Sequence, residues 1–96
     1  MDLLVAYDVQ TTDRAGQRRL RKVAQACQAY GQRVQNSVFE CKVNDTQFEQ
    51  LVHRLLRIID ENEDSLRIYR LREPKENHVD VYGRRPTYDL GALLVI

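Results

Sequence analysis

Two segments of this chain each carry a single apolar stripe at helical spacing, and a helix with one stripe needs another layer to cover it. The first runs from about Arg14 to Tyr30, where Leu20, Val23, Cys27 and Tyr30 step by three, four and three residues and Ala24 widens the stripe. The second follows Asn44, Asp45 and Thr46 and carries Phe48, Leu51, Val52, Leu55, Ile58 and Ile59. Thr11, Thr12 and Asp13 are turn and N-cap types ahead of the first helix, and Thr46 with Glu49 fits a capping box on the second. Gly31 is a natural stop after the first helix. Gly16 weakens that helix's first turn.

The covering layer reads as strands. Leu3 to Val9 is apolar without strict alternation, as expected of a central strand covered on both faces. In "GQRVQNSVFECKVND", Phe39, Cys41 and Val43 share one face, but the apolar phase slips near Asn36 and Ser37. A bulge or a tight hairpin there accounts for the slip, giving two short strands or one sharply bent strand. "SLRIYRLRE" alternates, with Leu66 and Ile68 on one side and Arg67, Tyr69 and Leu71 on the other. The order strand, helix, strand pair, helix, strand predicts an α+β chain. Its simplest form is a ferredoxin-like βαββαβ sandwich over residues 1–75.

Residues 76–96 differ in character. "EPKENHVDVYGRRPTYDLG" is polar and broken by Gly and Pro, with at most a short strand around Val79 to Tyr82. The closing "ALLVI" is an extra C-terminal strand. It pairs either with its own sheet or with a second protein chain.

Charge narrows the partners. Six basic residues (Arg14, Arg18, Arg19, Arg21, Lys22 and Arg33) lie between positions 14 and 33 with no acidic residue among them. Of the fifteen Lys and Arg in the chain, the remaining nine face all fourteen Asp and Glu, so the rest of the molecule is acidic although the total is +1. An arginine-rich patch of this kind fits sequence-independent, salt-sensitive contact with a phosphate backbone. Arg84 and Arg85 offer a second patch. No apolar run is long enough to span a bilayer, and no basic segment precedes an apolar one as in a secretory signal. Cys27 and Cys41 lack metal or disulfide spacing and read as small packed side chains in a reducing cytoplasm. His53 and His78 have no ligand spacing, and no phosphate loop, GxSxG or HExxH is present. The five tyrosines read as packing rather than stacking platforms.

Asp8 closes the first strand beside Tyr7. A carboxylate at the end of a buried strand needs compensation. Capping the following loop, pairing with a first-helix arginine, or holding a divalent cation would each supply it. No second acidic residue stands in fixed partnership with it, so one chain does not readily provide the carboxylate cluster of phosphodiester hydrolysis. Two copies related by a two-fold axis would, with a cation or a shared proton between the like charges.

"YDV" at the end of the first strand, "RRLRKVAQACQAYGQRVQNSVFEC" and the apolar C-terminus together resemble the small CRISPR-associated Cas-two family, the adaptor subunit of spacer acquisition. The resemblance covers nearly the whole chain and is nearest to members found with subtype I-C loci. It implies a ferredoxin-like fold and a symmetric homodimer with facing sheets. It also implies a catalytic role for Asp8 and the adjacent Tyr7, with Asp8 binding the metal, and Mg2+ or Mn2+ as cofactor. Basic residues of the first helix (Arg18, Arg19, Arg21) and Arg33 fall on the family's nucleic-acid-binding positions, beside Arg14 and Lys22. Phe39 and the terminal Leu93, Leu94, Val95 and Ile96 fall on its dimer and partner contacts, the terminal strand reaching the other protomer and the larger integrase subunit. Members are described as metal-dependent nucleases on double-stranded DNA or RNA, and also as non-catalytic scaffolds that hold a duplex. Both readings stay open on the sequence, as does a toxin-like ribonuclease on a related fold.

Overall fold

The computed structural model describes residues 1–83. Arg84, Arg85 and the strand expected at Ala92 to Ile96 lie outside the described residues. The elements are β1 (Asp2–Asp8), α1 (Arg14–Gln28), β2 (Gly31–Gln35), β3 (Val38–Lys42), α2 (Asp45–Ile58) and β4 (Ser65–Leu71), followed by a short 3-10 turn at Lys75–Asn77. The sheet order is β2-β3-β1-β4 and every pairing is antiparallel. Each helix therefore returns the chain two strands over, with one strand left between. This is the split βαβ arrangement of the ferredoxin-like sandwich, as expected.

The core lies on one face of the sheet. Leu3, Val5 and Tyr7 of β1 and Phe39 and Cys41 of β3 meet Val23, Ala26 and Cys27 of α1 and Leu51 and Leu55 of α2, all buried. The expectation that both faces of β1 are covered is not met. Leu4 and Ala6 are only half-buried and Asp8 is exposed, because both helices pack on the opposite side. Asp8 thus sits in water and does not need the compensation that a buried carboxylate would.

The phase slip in the middle of the chain is both a hairpin and a bulge. β2 and β3 are joined through Asn36 and Ser37, and the register shifts between Arg33 and Gln35. The hairpin tip is tied to the central strand, since Tyr7 N–H donates to the Ser37 carbonyl at 3.1 Å.

Caps explain the helix boundaries. Asp13 is the N-cap of α1, and its carboxylate accepts from Gly16 N–H at 2.7 Å. The capping box on α2 is formed by Asn44 and Gln47, not Thr46 and Glu49. Asn44 takes the extended cap conformation, so the helix starts at Asp45 and its third residue is Gln47. The first helix ends at Gln28, short of Tyr30, whose carbonyl instead accepts from Lys42 N–H at 3.0 Å. Gly31 does not end the helix through a left-handed conformation. It opens β2, where a Cβ would lie 1.9 Å from the Glu40 carbonyl oxygen. Residues 79–82 form no strand.

Gly16 is a second point of close approach. A Cβ there would lie 1.8 Å from the Gln10 carbonyl oxygen, so the loop after β1 rests directly on the first turn of α1. In an open helix Gly→Ala stabilises by about 1 kcal/mol. Here Gly16→Ala is expected to destabilise by about 1–3 kcal/mol, the cost of forcing backbone apart. Thermal unfolding checks the sign, and a raised Tm would contradict the contact.

Candidate nucleic-acid and metal site

Asp8 is the last residue of β1 and lies opposite Ser65 of β4. Strand alternation sends neighbouring side chains to opposite faces. Tyr7 accordingly points into the core, with its ring 6.3 Å from that of Phe39 and its hydroxyl buried without a hydrogen-bond partner. Burial pushes the Tyr7 hydroxyl up to about 12. Tyr7 and Asp8 are therefore adjacent in sequence but are not brought together in one site of this chain. Asp8 takes part in none of the ion pairs among the described residues. Its exposed carboxylate suits a hard divalent cation whose other ligands are phosphate, water or a second carboxylate. Among the described residues no three His, Cys, Asp or Glu side chains converge, so Asp8 is not part of a ready-made carboxylate cluster there.

The best-connected side chain near Asp8 is one the sequence reading passed over. Asp64 has no exposed side-chain surface. Its Oδ1 accepts from Gln10 N–H at 3.1 Å and from Arg19 Nη2 at 3.3 Å. Its Oδ2 accepts from Arg19 Nε at 2.8 Å and from Asp60 N–H at 2.9 Å. One carboxylate thus joins the loop after Asp8, the middle of α1 and the α2–β4 connection. It also immediately precedes Ser65, the strand partner of Asp8. Burial pushes the Asp64 carboxyl upward, but hydrogen bonds from Arg19, Asp60 and Gln10 outweigh this and hold it below the ordinary carboxylate range.

Arg19 is consequently not a free nucleic-acid contact. It is clamped by Asp64 and lies 3.4 Å from Glu63 Oε2. A signal for this was present: Arg19 lies four residues before Val23 and seven before Ala26, on the buried side of α1, where a cation needs a carboxylate. Arg33 is a second correction. It is only 4% exposed, its guanidinium lies 5.0 Å from the Phe39 ring centroid, and Nη1 donates to the Asn36 carbonyl. The bulge in β2 leaves Arg33 opposite Phe39 on the helix-covered face. Phe39 itself is fully buried there, opposite Val5, and offers no surface to a second chain.

Arg14, Arg18, Arg21 and Lys22 are exposed. Their spacing of four, three and one residues places them along one side of α1. His53 and His78 are exposed and far apart in the chain. Cys27 and Cys41 are buried as neighbours, the Cys41 thiol donating to the Cys27 carbonyl at 3.7 Å. Contact with Cys41 and burial push the Cys27 thiol up, the opposite of what a nucleophile needs. Leu93, Leu94, Val95 and Ile96 lie outside the described residues.

Residues 1–79 match the family model described as CRISPR associated protein Cas2. The chain belongs to the Cas2 family. It is 60% identical to "CRISPR-associated endoribonuclease Cas2 1" of Moorella thermoacetica over 96 residues, the full length of both chains. It is 56% identical to "CRISPR-associated endonuclease Cas2" of Halalkalibacterium halodurans, over 99% of each chain. The crystal structure of Streptococcus pyogenes Cas2 at pH 6.5 superposes with a TM-score of 0.78 at 52% identity, covering 86% of this chain and 100% of that one. The antiparallel sheet with two helices on one face is thus the arrangement this chain has in common with a solved Cas2 structure. Among the described residues no helix is long and apolar enough to cross a membrane.

Proposed function

We propose that this Cas2-family chain is a homodimeric, divalent-cation-dependent nuclease. It binds nucleic acid through α1 and works with the larger integrase subunit in spacer acquisition. The observation that carries this is the position of Asp8, exposed and, among the described residues, outside every ion pair, at the end of a strand whose outer face neither α1 nor α2 covers. That face presents Leu4 and Ala6 of β1 beside Val38 of β3 and Tyr69 and Arg67 of β4. Tyr69 is 45% exposed. Two such faces stacked together bury apolar surface that one chain leaves half-covered, and bring two copies of Asp8 to one seam. The names of the two relatives, an endoribonuclease and an endonuclease, support phosphodiester hydrolysis as the reaction.

A bound Mg2+ or Mn2+ would polarise the scissile phosphate and lower the pKa of an attacking water. The chain's own residues do the rest. The paired Asp8 carboxylates hold and orient that cation. Arg14, Arg18, Arg21 and Lys22 bind phosphates on either side and fix the register of the strand. Asp64 holds the loop after Asp8 in place.

Purified protein is expected to cleave duplex DNA or single-stranded RNA only with Mg2+ or Mn2+ present, and to lose cleavage on chelation. Cleavage at full rate in excess chelator would contradict the proposal. Tyr69→Asp, which places a charge on the outer face, is expected to shift the protein toward monomer in sedimentation and to reduce cleavage in parallel. A monomeric variant with wild-type cleavage would separate the activity from the dimer.

A further inference from the structure

We propose that the groove between α1 and α2 is a second site for a nucleic-acid phosphate backbone, separate from the Asp8 face. The groove encloses about 380 Å³ and is lined by Lys22, Gln25, His53, Arg54, Arg57 and Ile58. Among the described residues no carboxylate lines it. The ion pairs among the described residues use the Met1 amino group, Arg19 and Lys75, and none uses Lys22, Arg54 or Arg57. Three cations of two packed helices therefore line one groove, with no carboxylate among the described residues that line it. Like charges held this way repel, and a polyanion laid between them converts the repulsion to attraction.

Charge and surface chemistry choose the occupant. Lys22 belongs to both the groove and the exposed basic side of α1 formed by Arg14, Arg18 and Arg21, so basic residues of both helices meet at the groove. An acidic protein segment would need apolar anchor pockets to bind well. The groove's one aliphatic side chain, Ile58, is half-buried against the core. Arginines that present forked donors, with a neighbouring amide, suit phosphate oxygens along a strand. The proposal rests on the nucleic-acid reading above and adds a place to it. The groove lies on the helix layer, on the other side of the sheet from the outer face that carries Asp8. It therefore holds nucleic acid that flanks the reacting phosphate and governs affinity rather than the chemical step.

The test compares the wild-type chain with the double variant Arg54→Gln, Arg57→Gln, which leaves the α1 residue Lys22 in place. The probe is a fluorescein-labelled duplex of about 30 base pairs, its affinity followed by anisotropy between about 50 and 200 mM salt. Loss of two phosphate contacts is expected to reduce the slope of log affinity against log salt by about 2 and to weaken binding about tenfold at the low-salt end. In cleavage assays KM rises and kcat stays at the wild-type value. If the double variant melts below the wild type, the single variant Arg57→Gln carries the same test, with the slope reduced by about 1. Wild-type affinity and slope in the variants would overturn the groove site alone. Absence of any duplex binding by the wild type would overturn the nucleic-acid reading with it. Displacement of the duplex by polyglutamate at equal charge concentration, lost in the double variant, would overturn the groove site in favour of an acidic protein partner.

Discussion

Asp8→Asn is expected to leave folding intact and to reduce cation-dependent cleavage by about a hundred- to a thousandfold. The size follows from removing a charge that stabilises the transition state through a cation, an interaction worth several kcal/mol. Folding should be unaffected because Asp8 is exposed and takes part in no ion pair among the described residues. The amide is nearly isosteric, so strand pairing with Ser65 is kept. The loss should fall on kcat, with duplex affinity close to wild type, because the basic side chains of α1 are untouched. Single-turnover cleavage with and without Mn2+, beside a thermal melt, measures both quantities. Retention of full cation-dependent cleavage would remove Asp8 from the chemistry and favour a family member that binds nucleic acid without cutting it.

Asp64→Ala is expected to have the largest effect on stability of any polar substitution among the described residues. The carboxylate is fully shielded and satisfies two backbone N–H groups, at Gln10 and Asp60, as well as Arg19. Alanine leaves those donors without a partner in a site that water barely reaches. Buried donors left unpaired are costly, and for a domain of this size Tm should fall on the order of 10 °C or more. The effect carries a pH signature. The folded-state pKa of Asp64 is held below its unfolded value, near about 3.9 for an aspartate. Its contribution is therefore present above that unfolded value and is lost as pH falls through the lower folded one. Wild-type stability should decline in acid below about pH 4, and Asp64→Asn, with no charge to lose, should show a flatter profile there. An unchanged Tm for Asp64→Ala would mean that water satisfies the same donors.

The architecture was legible because two single-striped helices and three apolar segments admit few arrangements. The stripe of Leu51, Leu55 and Ile58 and the phase slip at Asn36 each marked a real feature. The one-sided cover of the sheet was not legible. Leu4 and Ala6 are apolar like Leu3 and Val5, and a run without polar residues looks the same whether one or both faces are covered by the chain itself. Side-chain partners were the other gap. Arg19 and Arg33 have the composition of a phosphate site, but one packs against a buried carboxylate and the other against Phe39. Their burial depends on which positions face the core, which the bulge in β2 decides for Arg33. Asp64 was hidden within "DENED", where a run of acids reads as a solvated helix end. Its distinguishing mark is that it directly precedes the alternating residues of β4.

In the proposed site two chains build one cation-binding centre, and mixed dimers test that most directly. Co-expression of differently tagged wild-type and Asp8→Asn chains allows the heterodimer to be isolated and its cation-dependent cleavage compared with both parents. If the two Asp8 carboxylates share one cation, one asparagine disables the site, and the heterodimer should cleave at close to the rate of the doubly substituted protein. A heterodimer that retains half of the wild-type rate would show that each chain works alone, and would contradict the shared site.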